Sequence, residues 1–230
     1  MQTFKKLGTL LHSMAHNAVH NTPTNGHSNG NDSEIMKLEI RRQTFHLVMG
    51  LLVVAGVYYN ILDSVKIFVL LIAGIVLSLL CKKYELPIIY PLMRFFGRDE
   101  EIRKFPGKGA IFFFVGVLLA IKLFPKDVAL AAIMILALGD SIGHIVGRKF
   151  GKTKSPFTSG DKLLEGTIIG FAVGFLGAMI FVSPWEALLA ALFAMIAESI
   201  EFDLNKAPVD DNIIVPLVAG TVVYLMRLYL

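Results

Sequence analysis

The sequence has 230 residues, 55% of them apolar, with a mean hydropathy of +0.65 and a net charge of +4. That hydropathy excludes an ordinary water-soluble domain, the small positive excess fits loop topology better than nucleic-acid binding, and the lone Cys81 excludes an intramolecular disulfide. Several apolar runs approach the roughly 20 residues that cross a bilayer, so the expected fold is all-α, a polytopic membrane bundle with about seven transmembrane helices.

Residues 1–35 differ from everything after them. They are polar and rich in Asn, His, Gly and Ser, a composition that buries too little apolar surface to fold alone. Met36 followed by KLEIRR reads as a start, so 1–35 is expected to be a disordered tail or an appended expression segment, and 36–230 a membrane-embedded catalytic domain. His12, His16, His20 and His27 are read as part of that tail rather than as a metal site.

Seven apolar runs follow in order: about Phe45–Leu62, Val65–Cys81, Ala110–Phe124, Val128–Val146, Thr167–Val182, Trp185–Ile200 and Ile213–Leu230. Between the second and third lies a mixed segment with Pro87, Pro91, aromatics and many Lys and Arg, read as a loop with an interfacial amphipathic piece around Ile88–Phe96. Ser183 and Pro184 form a plausible N-cap and first-turn pair for the sixth run. Most Lys and Arg fall in the N-terminal segment and the loops 82–108 and 147–166, whereas the turns near Asp63, Pro125 and Ser183 are short and carry few charges. The positive-inside bias therefore puts the start and those loops in the cytoplasm and the C-terminus outside.

The most informative stretch runs from Leu138 to Gly166, LGDSIGHIVGRKFGKTKSPFTSGDKLLEG. Asp140 falls inside an apolar run, where a charge is costly and presumptively functional. Gly139, Gly143, Gly147 and Gly151 recur every four residues and make a smooth stripe on a helix, which suits either close helix packing or the approach of a nucleotide. Asp140, His144 and Arg148 lie on the adjoining stripe. A phosphate and metal site at a membrane surface is the reading.

Other polar clusters fall on the same side: Arg41, Arg42 and His46; Lys104 and Lys108; and ESIEFDLNKAPVDDN. Asp140, Asp161, Glu165, Glu198, Glu201, Asp210 and Asp211 supply the hard oxygen ligands that Mg²⁺ takes when it is shared with phosphates, and Arg148, Lys149, Lys152 and Lys162 could hold those phosphates. Asp140 is the first choice for a metal ligand, and Asp211 for metal or base. His46, at the start of a span, reads equally as an interfacial anchor or a catalytic group. Gly147–Thr153, GRKFGKT, looks like a P-loop but has one residue too few before its GK and follows a helical run where that motif needs a strand. No protein-kinase, Rossmann, zinc or Ser-His-Asp pattern is present.

Taken together, GDSIGHIVGRKFG, then DKLLEGT, then an acidic loop ending DNIIVPL resembles the CTP-dependent polyprenol kinase family of dolichol, phytol and farnesol kinases and the yeast-type diacylglycerol kinase. RRQTFHL fits the basic-plus-His opening of the phytol and diacylglycerol kinases, and the resemblance covers nearly all of Met36–Leu230. It implies transfer of the CTP γ-phosphate to a lipid alcohol with a divalent metal, Mg²⁺, giving a lipid monophosphate and CDP. Carried over by position, it implies nucleotide-binding roles for Gly139, Asp140, Gly143, Gly147, Gly151, Lys162, Glu165 and Gly166, with Arg148 and Lys152 beside them. The C-terminal motif falls on Glu198, Asp211, Asn212 and Pro216. The catalytic set is then Asp140, Asp211, Lys162, Glu165 and His46, and the metal set Asp140, Glu165, Glu198 and Asp211. The chain is shorter than eukaryotic dolichol kinases, as though it were the catalytic half alone. CDP-lipid synthases share the Asp-to-EG layout, but VDDNIIVPL stands where their Lys-Asp pair and Gly-His-rich signature would be expected. The expected partners are a lipid alcohol, a nucleoside triphosphate and membrane lipids, with a homodimer left open and nucleic acid not expected.

Overall fold

The computed structural model describes residues 28–229 apart from 85, 88, 98–101, 103, 155–161, 201–202 and 205–206. Asp161, Glu201 and the four N-terminal histidines lie outside the described residues, as does most of 1–35. The chain forms two units, Met1–Met36 and Lys37–Leu230. Of the first, only the opening turns of one helix are described.

Helices account for nearly all the described structure. In order they are α1 (Ser28–Tyr58), α2 (Ser64–Lys83), α3 (Ile89–Phe96), α4 (Lys108–Leu123), α5 (Lys126–Met134), a π-helical turn (Ile135–Asp140), α6 (Ser141–Phe150), α7 (Leu164–Ala178), α8 (Pro184–Ser199) and α9 (Asp211–Tyr229). A two-residue antiparallel pair, Asp203–Leu204 with Ala207–Pro208, closes the turn before α9. Each of the seven expected apolar runs is helical. Among the described residues only four segments, Ser33–Tyr58, Ser64–Lys83, Lys126–Phe150 and Asp211–Tyr229, are long and apolar enough to cross a membrane. The other three fall short because α4 and α8 have 16 residues and α7 has 15. At 1.5 Å per residue that is about 24 Å, under the ~30 Å hydrocarbon core.

The continuous segment α5–π–α6 is the axis of the bundle. Of its apolar window 78% is buried, against 22–33% for the other three long segments. Alanines at 129, 131 and 132 let neighbours approach closely, and α4, α7 and α9 pack around it. The outer helices turn large apolar side chains away from the protein: Val65 is 66% exposed, Ile168 55% and Trp185 73%. Such an apolar exterior suits hydrocarbon rather than water.

Local signals set the helix ends. Asp63 accepts from the Val65 and Lys66 amides, both at 2.9 Å, and so caps α2. Ser183 caps α8 with Pro184 in its first turn, as the sequence predicts, and Glu186 completes a reciprocal capping box. At the same end of the bundle Arg227 binds Asp127 at 2.7 Å and Glu186 at 2.5 Å, tying the start of α5, the start of α8 and the last turn of α9. Arg227→Ala is expected to cost about 1 kcal/mol, as suits a network of partly exposed charges. The loss should appear as a lower Tm in detergent at low salt and shrink in high salt; an unchanged low-salt Tm would show that the tie contributes nothing.

Candidate active site

The π-helical turn widens the helix just before Asp140, a distortion often found at functional sites. It leaves Asp140 buried at the first turn of α6, with His144 one turn further along the same face. Glu198 arrives from the last turn of α8 and is only 5% exposed. His144 Nδ1 lies 3.3 Å from Asp140 Oδ1 and 3.9 Å from Glu198 Oε1. One ligand atom from each of the three lies within 4.8 Å of the others. Asp140 Oδ1 is buried and has no hydrogen-bond partner among the described residues. With only His144 Nδ1 near it, a charged acceptor at that depth is costly unless a cation meets it. Two carboxylate oxygens and one imidazole nitrogen therefore fit a divalent ion, the oxygens suiting Mg²⁺ and the nitrogen admitting Mn²⁺.

Lys162 bridges this group to α9. Its ammonium lies 3.2 Å from Glu198 Oε1 and 2.9 Å from Asp211 Oδ2, and also donates to the Glu198 carbonyl. Burial opposes its charge, but the two carboxylates outweigh burial and hold its pKa above the ordinary lysine value. Asp140, His144, Arg148, Lys162 and Glu198 line one cavity of about 170 Å³, with Gly143, Gly147 and Gly166 in its wall.

The glycine stripe makes that wall thin. A Cβ on Gly143 would stand 2.8 Å from the Gly166 carbonyl oxygen, and one on Gly170 2.6 Å from that of Gly139. The π-helical turn and α6 touch the α7 backbone along Gly139, Gly143, Gly147 and Gly166, Gly170, Gly174, the packing use of such a stripe. Gly143 and Gly147 serve both ends, because they also face the cavity.

A second, polar cavity of about 310 Å³ adjoins the first through Asp140 and His144, and is lined by Arg42, His46, Lys108, Asp211 and Asn212. Its acidic side is set by the start of α9. Asp210 Oδ1 accepts from the Asn212 amide at 3.2 Å and its side-chain nitrogen at 2.7 Å. Pro216 has no N–H to offer the Asn212 carbonyl four residues back. That carbonyl instead seats against Gly116 of α4, where any Cβ would collide with it.

An uncharacterized protein of Methanocaldococcus jannaschii is 33% identical over 187 residues, 80% of this chain and 92% of the relative. CTP-dependent diacylglycerol kinase 1 of Schizosaccharomyces pombe is 27% identical over 156 residues, 60% of this chain and 66% of that protein. The chloroplastic phytol kinase 1 of Arabidopsis thaliana is 31% identical over 143 residues, 56% of this chain and 45% of that protein. The chain belongs to one family with the Methanocaldococcus protein, and its relatives include proteins named CTP-dependent diacylglycerol kinase and phytol kinase. No family model and no solved structure matches it. The chain spans less than two thirds of the length of these named kinases.

Among the residues that carry the lipid kinase resemblance, Asp140, Lys162 and Glu198 converge, with Asp211 joined through Lys162. Glu165 is engaged elsewhere: its carboxylate accepts from the Lys152 amide at 3.1 Å and from the Thr153 amide and hydroxyl at 3.1 and 3.0 Å, closing the loop after α6. The Lys152 side chain is exposed, and Gly151 packs on Leu163, so both serve that loop rather than the cavity. His46 is buried on the far side of the second cavity, edge-on to Phe113 with ring centroids 5.5 Å apart. Two residues carry no expectation from the sequence, Glu39 and Gly116, and a third, His144, lies on the expected Asp140 stripe but without an assigned role. His144 sits four residues from Asp140, and that spacing was the available signal. Glu39, 3% exposed, accepts from Arg42 at 2.6 Å and Gln43 at 3.0 Å, which orders the basic face of α1. Gly116 seats the Asn212 carbonyl, with no local signal for it in an apolar run.

Proposed function

We propose that this protein is a CTP-dependent lipid kinase, transferring the CTP γ-phosphate to the hydroxyl of a polyprenol-type or diacylglycerol-type alcohol with release of CDP. The observation that carries the reading is one cavity holding Asp140, His144 and Glu198 beside Arg148 and Lys162. Relatives named CTP-dependent diacylglycerol kinase and phytol kinase support it.

Asp140, His144 and Glu198 would hold the divalent ion, which when bound offsets the charge of a triphosphate. Arg148 reaches the phosphates from the next turn of α6. Lys162 holds Glu198 and Asp211 together and presents positive charge to the same cavity. In the transfer the acceptor oxygen bonds to the γ-phosphorus while the bond from that phosphorus to the β–γ bridging oxygen breaks, its electron pair leaving with CDP. The hydroxyl proton passes to Asp211. Residues 36–230 form the catalytic domain in this reading, with the seven helices embedded in the membrane, the site on the cytoplasmic face and the C-terminus opposite.

The test is purified protein offered CTP or ATP with a panel of lipid alcohols, with the lipid product and the nucleotide product both identified. Phosphorylated lipid with CDP supports the reading; pyrophosphate release with a lipid phosphate as acceptor would replace it with CDP-lipid synthesis. Lys162→Met is expected to lower kcat/KM for CTP about 30-fold, about 2 kcal/mol of lost transition-state stabilisation. Unchanged constants would reduce Lys162 to a structural bridge.

A further inference from the structure

A third cavity, of about 190 Å³, lies between α1, α3 and α4, outside the nucleotide and metal groups. One wall is α3, whose Ile89, Leu92, Met93 and Phe96 all line it. Their spacing of three, four and seven residues puts them on one helix face. The opposite face carries Arg94 and Phe95, with the Arg41 guanidinium 4.4 Å from the centre of the Phe95 ring. On the far wall Phe45 meets Phe96 at 4.9 Å between ring centroids. This apolar chamber adjoins the polar cavity that reaches Asp140: Arg42, His46, Lys108 and Gly109 line both.

We infer that this chamber receives the proximal apolar chain of the lipid alcohol, with the acceptor hydroxyl held by His46 at the junction of the two cavities. The inference rests on the kinase reading of the Asp140 site and names where its acceptor enters. The occupant is an amphiphile because the space itself is: apolar along α3 and polar at the His46 end, where it opens toward the carboxylates. Gly109 stands there without a side chain, and even a Cβ on it would come within 3.4 Å of His46 Nε2. Of the four shared residues, Arg42 and Lys108 are cations that only donate and Gly109 has no side chain. His46 alone offers a side-chain nitrogen able to accept from a hydroxyl as well as to donate to it. Leu92, 54% exposed, opens the chamber outward, so the distal chain continues into the surrounding lipid.

Two arms keep failure of this inference distinct from failure of the kinase reading. In the first, the full chain in phosphatidylcholine nanodiscs, without nucleotide, is irradiated with a long-chain lipid alcohol bearing a diazirine a few carbons from the hydroxyl. Label is expected in the peptides covering residues 89–97 and 102–110, and Met93→Trp, which fills the chamber, is expected to cut it about fivefold. Leu92→Trp, at a more exposed position that tolerates bulk, is expected to act in the same direction. Label spread over the lipid-facing helices, or unchanged in both variants, overturns the inference. In the second arm, with CTP, Met93→Trp is expected to raise the acceptor KM about tenfold while the CTP KM stays within about twofold. Equal effects on both substrates overturn the inference. A wild-type protein that phosphorylates no alcohol yet labels in the chamber refutes the kinase reading and leaves the lipid chamber standing.

Discussion

Asp140→Asn is expected to abolish all but a trace of lipid phosphorylation, about 10³-fold or more, while the protein still folds. The side chain keeps its size and one oxygen, so packing at the π-helical turn survives. What disappears is the negative charge that His144 and a cation both answer to. A loss of 10³-fold corresponds to about 4 kcal/mol of transition-state stabilisation, the scale for removing a preorganised charge from a water-poor site. Turnover of purified variant and wild type, each checked for an unchanged Tm, measures it. The same pair compared by Mn²⁺ titration reads the ion directly, and the variant should bind it at least about tenfold more weakly. Activity within a factor of ten of wild type would remove Asp140 from the site.

The largest structural effect is expected at Gly166. A Cβ there would stand 2.6 Å from the Gly143 carbonyl oxygen and 3.0 Å from the Gly147 Cα, both backbone atoms that no rotamer can move. Helices α6 and α7 must part to admit even a methyl group. Overpacking of this kind costs about 1–3 kcal/mol for Ala, and Leu is expected to prevent assembly altogether. Gly74→Ala is the control, since nothing lies within 4 Å of the position its Cβ would take. It should be neutral or slightly stabilising, because Ala favours a helix over Gly. Thermal denaturation in detergent compares the two alanine variants, and the yield of monodisperse protein reads the Leu variant. If Gly166→Ala melts like Gly74→Ala, the close contact of the two helices is wrong.

Much of this was readable in the chain because the membrane makes charge conspicuous. Asp140 and Glu198 interrupt apolar runs, so their cost alone marked them, and the glycine spacing announced a smooth face whose packing and cavity uses the sequence could not separate. The helix count was less legible: α4, α7 and α8 have the apolar composition of spans without the length. Glu165 stands next to the right glycine, yet its carboxylate is satisfied by Thr153, twelve residues earlier in a loop that no periodicity describes. Arg227 and Asp127 are 100 residues apart and meet only because both helices end at the same level. Gly116 resisted prediction most completely. Its meaning depends on a proline in another helix that strips a carbonyl of its donor.

That proline and glycine fix where one helix meets another. Helix α4 starts at Lys108 and Gly109, in the wall shared by two cavities, and about 12 Å further along, at 1.5 Å per residue, it bears on the Asn212 carbonyl next to Asp211. One helix therefore borders the same polar cavity at two levels, with its first turn in the wall and Gly116 against the start of α9. Any side chain at 116 would have to displace the Asn212 carbonyl, so the place of Asp211 in that cavity depends on an absent methyl group.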